Sequence, residues 1–343
     1  MDTWEWAEGR RLIGVYLDQI DREISVRFQR TAPPLETTLT QEFLACLDPE
    51  ASARERLGNP YQTLRDELAR SLTDAGLAAP EGAEPWAAEI TTIPHPSGYE
   101  AFVSHADMGL VIDYSASAGR PTPQPTAFLL QAKKLYPDRD KHHRLVFHGR
   151  CRFSGFSDPQ HAAILRLQEE LEKGALRYLY YMPRRSSFEW LEPAPRRVSH
   201  ATLAKLHATH SAEAFDDGIW IGGIREGDIA KTAMQVHLRS GVSTLPIRTF
   251  ILDHMSRAGV FGASDLPDPL VVAEHYAPSL GPLHGLAHGL AIGDEAVVNQ
   301  VVERLERASV TVPILPATTM RLTIPPPPVP MPSPAAITSR PSI

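Results

Sequence analysis

Two short aliphatic runs, Met108-Gly109-Leu110-Val111-Ile112 and Ala127-Phe128-Leu129-Leu130, stand close together in the chain, each bounded by turn-forming residues. They read as neighbouring strands, and they limit what can surround them. Side chains alternate along a strand, so Gln131 and Lys133 share one face while Leu130 and Ala132 take the other, and Asp107 opens the first of the two strands. Three polar groups are therefore expected to converge at one edge of a sheet. An Asp carboxylate, an amide oxygen and a Lys ammonium are the groups that metal-assisted phosphodiester cleavage uses, with oxygen ligands for a hard cation and a positive charge beside the attacking water.

The chain of 343 residues is long enough to bury a sizeable core. Its two cysteines, Cys46 and Cys151, are too few for a disulfide framework and form no Cys-x-x-Cys pair, so a reducing, cytoplasmic setting is expected. No apolar run approaches the length of a membrane span, and the first residues do not resemble a secretion signal. The formal net charge of -7 argues against a protein that coats nucleic acid nonspecifically. A local exception runs from Lys133 to Arg152, where seven Lys and Arg face two acids, with His142, His143 and His148 among them. Such a run is either a phosphate-tracking surface or a solvated loop, and Arg184-Arg185 and Arg196-Arg197 carry the same two readings.

Taken in order, residues 4 to 29 are expected to be helical, with Leu12, Tyr16, Ile20, Ile24 and Phe28 at fourfold spacing. A second helix follows Pro33-Pro34, with Thr38 and Gln41 as a capping box, Leu39, Phe43 and Leu47 on one face, and Glu36 just before its start. A third begins at Asn59-Pro60 and stops at Gly76. Strands over 87–93, 107–114 and 128–133 are expected to form a three-stranded meander. Asp158-Pro159 opens a helix ending at Lys173-Gly174, and Leu176 to Tyr181 reads as a strand reached by a crossover. Beyond Pro195 helices are expected over 199–210, 228–240, 246–258 and 294–308, with one short apolar segment, Ile219-Trp220-Ile221. From Pro325 the prolines and small residues predict polyproline II and disorder.

A helix, three strands, a helix and a strand, with Asp107 opening the second strand and Gln131-x-Lys133 closing the third, resemble the core of the PD-(D/E)XK nuclease superfamily. The resemblance covers residues 31–195. It is similar to the Mrr-like form, which has Gln where the commonest pattern has Glu or Asp. It is also similar to an uncharacterised bacterial group in that superfamily, through Glu36-Thr37-Thr38-Leu39-Thr40, His105-Ala106-Asp107 and Gln131-Ala132-Lys133-Lys134. The resemblance implies an α/β fold with a restriction-endonuclease-like αβββαβ core and a mixed sheet flanked by helices. An N-terminal helix (1–30) would precede that core; a mostly helical C-terminal region (196–324) and a disordered Pro-rich tail (325–343) would follow it.

The resemblance further implies Mg2+, with Mn2+ as an alternative, held by Asp107, Gln131 and Glu36, with Asp107, Gln131 and Lys133 as the catalytic set. Glu42 is a second choice for Glu36, and Asp113 for Asp107. Gln131 supplies a neutral oxygen, so the site keeps a ligand but loses a charge. Lys133 would orient or help deprotonate the water and offset growing charge on the phosphate. The expected activity is hydrolysis of DNA by a metal-dependent endonuclease of restriction or antiphage defence. Two alternatives stand beside it: an RNA-directed hydrolase, and a noncatalytic interaction protein that keeps the fold and binds a protein partner through its Pro-rich tail.

Overall fold

The computed structural model of the protein describes residues 3–30, 32–47, 66, 70, 74, 77–78, 89–94, 107–114, 126–153, 156, 158–170, 174–187, 216–224, 229–240, 243–257, 284–307, 318–324 and 329–330. Leu12, Tyr16, Ile20, Ile24 and Phe28 are all buried along α1 (Thr3–Val26) and the 3-10 turn Arg27–Gln29 that extends it. Fourfold spacing keeps these side chains on one slowly drifting stripe, which is the face the helix turns inward. Tyr16 donates its hydroxyl to the Leu47 carbonyl (3.3 Å), tying α1 to α2 (Glu36–Leu47), whose Leu39, Phe43 and Leu47 are buried.

Helix α2 starts two residues before the expected capping box. Lys134 Nζ donates to the carbonyls of Pro33 (3.1 Å) and Pro34 (2.5 Å), fixing the approach of the chain, and the Leu35 carbonyl then accepts the Leu39 N–H at 3.0 Å. Glu36 is thus the first residue of the helix rather than one before it, and Thr38 lies within it. Of the helix expected from Asn59-Pro60 only residues 66, 70 and 74 are described, and each is helical. The helix expected over 199–210 and the pair Arg196-Arg197 lie outside the described residues.

The strands and remaining helices follow as β1 (Leu77–Ala78), β2 (Glu89–Pro94), β3 (Met108–Tyr114), β4 (Thr126–Lys134), β5 (Asp138–Arg139), β6 (Leu145–Val146), α3 (Asp158–Glu170) and β7 (Leu176–Tyr181). Then come β8 (Ile219–Gly222), α4 (Ala233–Leu238), β9 (Thr244–Pro246), α5 (Ile247–Arg257), α6 (His284–Ile292), α7 (Glu295–Arg307), β10 (Thr318–Ile324) and β11 (Val329–Pro330). The fold is α/β, with a seven-stranded mixed sheet in the order β2-β10-β3-β4-β7-β8-β9. β4 runs antiparallel to β3 and parallel to β7, the parallel neighbour being reached through α3. β4 is buried on both faces from Ala127 to Lys134, as a central strand covered by helices should be. On one face Phe128 packs edge-on against Phe250 of α5 (4.8 Å) and Tyr181 against Phe43 of α2 (6.3 Å). On the other, Tyr178 meets His161 of α3, and Thr319 hydrogen-bonds the Ala291 carbonyl of α6.

The structure departs from the sequence expectations in several places. The meander of three consecutive strands is interrupted, because β10 lies between β2 and β3, antiparallel to the first and parallel to the second. The region 196–324 has more helix than strand among its described residues, but it also supplies β8, β9 and β10, which were not expected as strands. Ile219-Trp220-Ile221 is buried on both sides, so β8 lacks the alternation that announces a strand. The segment expected from 228 to 240 is helical only over the six residues of α4, capped by Thr232, whose side-chain oxygen accepts the Gln235 N–H at 3.2 Å. Beyond Pro325, Val329–Pro330 pairs with Leu77–Ala78, so that part of the expected disordered tail is held as a short strand, while 325–328 and 331–343 lie outside the described residues.

Gly109 explains how β10 fits. It is paired with Thr319, and a Cβ at Gly109 would run into the Thr319 side chain, whose hydroxyl is already committed to α6. Gly109→Val is expected to lower unfolding stability by about 1–3 kcal/mol through overpacking, read as an earlier midpoint in urea. Gly174, at φ 91° in the turn before β7, and Gly293, at φ 73°, are positions where a side chain would strain the backbone. Among the described residues no helix is long and apolar enough to cross a membrane.

Candidate active site

Pairing of β3 with β4 matches Met108 to Leu130, so one step further along the same register Asp107 comes across from Gln131. Gln131 Nε2 donates to Asp107 Oδ2 at 2.5 Å, and the Ala132 N–H donates to that same oxygen at 2.9 Å. β3 and β4 occupy the middle of the sheet, so the expected convergence is found at strand ends and not on an edge strand. Gln131 is 5% exposed, and its Oε1 is buried without a hydrogen-bond partner among the described residues. A buried acceptor left without a donor costs about 1–3 kcal/mol and is the kind of group that a cation satisfies.

Lys133, two residues on and on the same face as Gln131, is 1% exposed. Its Nζ lies 5.7 Å from the centre of the Tyr178 ring and 5.8 Å from that of Phe156. Register explains the aromatic neighbour, since Tyr178 of β7 is paired with Gln131 and Tyr180 with Lys133. His161 Nδ1 lies 3.1 Å from the Tyr178 hydroxyl, fixing that ring from behind. Sequence reasoning missed this aromatic wall; the signal was the alternation of Tyr178 and Tyr180 in a strand parallel to β4.

Glu36 comes from the opposite face of the sheet, carried over the strand end by the first turn of α2. Its Oε2 accepts the Lys134 N–H at 2.9 Å, and its Oε1 stands 4.0 Å from Lys133 Nζ. Glu42, the alternative acid of the same helix, instead accepts from Arg27 at 2.6 Å, so the structure brings Glu36 and not Glu42 to the site. Asp113 is paired with Thr323 at the other end of β3, away from Gln131. Asp107 is thus brought to Gln131, and Glu36 to Lys133, with the charge of Asp107 acting on both Glu36 and Lys133; strand spacing points to Asp107, Gln131 and Lys133, while Glu36 is an expectation of the resemblance alone.

Burial governs the electrostatics. It raises the Glu36 carboxyl to about 7, with Lys133 opposing and Asp107 adding to the rise. It raises Asp107 as well, against the pull of the Ala132 N–H and of Lys133. It lowers Lys133, opposed by the charges of Glu36 and Asp107. Burial thus disfavours the charged form of all three groups, the two carboxylates and the ammonium alike. All three oxygen donors, two carboxylates and an amide carbonyl, suit a hard divalent cation and not a soft one.

The basic run is only partly available as a surface. In the β5–β6 hairpin Arg144 pairs with Asp140 (2.7 Å) and Arg139 donates to the His143 carbonyl. Arg184, read as a surface residue, is instead buried among Asp18, Asp21 and Asp216. Comparison with protein-family models, with curated proteins and with solved structures gives no match for this chain.

Proposed function

We propose that the protein is a metal-dependent phosphodiesterase that hydrolyses DNA, with α2-β2-β3-β4-α3-β7 as a core of PD-(D/E)XK type into which β10 is inserted. The observation that carries this reading is the orphaned Gln131 Oε1, buried on an amide that also holds Asp107, whose charge acts on both Glu36 and Lys133. Asp107, Glu36 and Gln131 would hold Mg2+ or Mn2+, which supplies Lewis-acid polarisation of the phosphate and a more acidic water. Lys133, kept dry by Tyr178 and Phe156, has a lowered proton affinity and stands where it can orient the attacking water and then offset charge on the phosphate. A role in restriction or antiphage defence follows from the same resemblance.

The test is cleavage of supercoiled plasmid, linear duplex DNA and RNA by the full chain, with Mg2+, with Mn2+ and with excess chelator. Cleavage of DNA that needs the cation and falls in Lys133→Ala supports the reading, and RNA cleavage alone would reassign the substrate. Equal cleavage in chelator, or none on any substrate with either metal, sinks it in favour of a noncatalytic interaction protein.

Cation binding should depend on pH with a definite sign. Glu36 is raised to about 7, so below that value a cation must displace a proton, and its apparent affinity should rise about tenfold per pH unit up to neutrality and level off above. The measurement is the shift in melting temperature on adding Mg2+ between pH 5.5 and 8.5. A shift independent of pH, or one that keeps the same profile in Glu36→Gln, would remove Glu36 from the ligand set.

A further inference from the structure

A second group of metal-ligating side chains lies just beyond β4 and shares no residue with the site above. Asp138 of β5, His148 and Cys151 each offer one ligand atom, and these atoms all lie within 4.8 Å of one another. His148 Nε2 is 2.8 Å from Asp138 Oδ2. The His148-x-x-Cys151 spacing is closed into a turn by the Cys151 N–H, which donates to the His148 carbonyl at 2.9 Å. Gly149 and Cys151 are in turn fixed on α4, whose Met234 and Ala233 N–H groups donate to their carbonyls at 2.8 and 3.2 Å. Asp138 is brought in by hairpin register, paired with Val146.

The surroundings of Cys151 separate this cluster from a simple His–Asp pair beside a buried thiol. The His148 N–H points at its Sγ (3.3 Å), and the Asp138 backbone N–H does so too. A thiol buried as a small apolar group has no use for such donors, whereas a thiolate does, because N–H dipoles aimed at sulfur support the anion that binds metal. Burial by itself opposes that anion, so the charge needs a cation to balance it.

We propose that Asp138, His148 and Cys151 bind a divalent transition cation of the zinc class, with water in the fourth position, and that this ion clamps the β5–β6 hairpin onto α4. A thiolate, an imidazole and a carboxylate are ligands of this borderline class and not of magnesium. On loading, the Cys151 thiol gives its proton to solvent and ends its contact with the Val146 carbonyl (3.6 Å). His148 binds through Nε2, its one proton passing to Nδ1, so the hydrogen bond that Nδ1 accepts from the Arg150 N–H (3.2 Å) is given up. Asp138 contributes a carboxylate oxygen, and the proton released is that of the thiol.

The experiment is titration of the full chain, stripped with chelator and kept reduced, with Co2+ under an absorbance readout. Expected are one equivalent of Co2+, a thiolate-to-cobalt charge-transfer band and intense tetrahedral ligand-field bands, all displaced by Zn2+ and untouched by Mg2+. Cys151→Ser should abolish the charge-transfer band, and Cys46→Ser should leave it in place. His148→Ala and Asp138→Asn should each weaken Co2+ binding by at least about tenfold. Asp138 is 64% exposed, so its variant tests the ligand without disturbing a packed core. Absence of the band in the wild-type chain, its survival in Cys151→Ser, or unchanged affinity in both His148→Ala and Asp138→Asn would overturn the proposal. Because oxygen ligands give no thiolate band, the result is independent of the proposed hydrolytic site.

Discussion

Asp107→Ala is expected to lower metal-dependent cleavage by about three orders of magnitude, the equivalent of the several kcal/mol of charge stabilisation that a bound cation supplies. Asp107 is one of the two carboxylates that the proposed site offers a cation, with Gln131 a neutral donor beside it, and burial raises the remaining acid, Glu36, to about 7. Losing one of two charges should therefore cost more than in a site with three. Oδ2 of Asp107 also holds the Ala132 N–H, so Asp107→Asn, which keeps an acceptor and removes the charge, separates lost metal from lost structure. Both variants should be equally inactive, with an unchanged far-ultraviolet spectrum.

Two further variants bracket that result. Gln131→Glu should raise Mg2+ affinity while the fold is retained, since it adds the missing charge beside the cation. Lys133→Ala should lower the rate more than it weakens DNA binding, because an ammonium among two aromatic rings and Glu36 acts on charge that develops during reaction. If Asp107→Ala and Lys133→Ala both cleave like the wild type, the residues lie together for some other reason and the nuclease reading is wrong.

The parts of this arrangement legible in the sequence were those set by period and register. Alternation placed Gln131 and Lys133 on one face, and the fourfold series in α1 marked a stripe that is buried throughout. Asp294 was legible as the start of α7, where its Oδ1 accepts the N–H groups of Ala296 and Val297. What escaped were partners distant in the chain. β10 enters the sheet beside β3 because Gly109 leaves room for Thr319, and no local pattern announces a pairing across more than two hundred residues. Arg184 reads in the sequence, with Arg185, as part of a basic surface or solvated loop, while its four carboxylate partners lie on α1 and before β8. The start of α2 was misplaced because the carbonyls that fix it answer to Lys134.

That same arginine network carries the largest expected effect on stability. Asp21 is fully buried and accepts the N–H groups of Gly218 (2.9 Å) and Ile219 (2.7 Å) together with Arg184 (3.2 Å), joining α1 to the first residues of β8. Asp217 is buried beside it and pairs with Arg248 of α5 at 2.8 Å, and Asp18 and Asp216 complete the shell of Arg184. Asp21→Ala would leave two N–H donors and part of a guanidinium without acceptors in a dry place, and should cost about 3–5 kcal/mol, read from urea unfolding. Asp21→Asn retains an acceptor for the N–H groups and should cost less. Burial raises Asp21 from 3.8 to about 6 in spite of these donors, so the native state binds its proton more tightly than the unfolded chain does. Stability attributable to this group is therefore present below about pH 4 and falls as pH rises towards 6, the opposite of an exposed ion-paired aspartate. Asp18, which Arg184 and Arg22 hold below its usual value, contributes the reverse slope at lower pH. Asp21→Asn should accordingly flatten the decline in unfolding free energy between pH 4 and 6. If Asp21→Ala unfolds within about 1 kcal/mol of wild type, or if that decline persists unchanged in Asp21→Asn, the buried network is not what fastens α1 to the sheet.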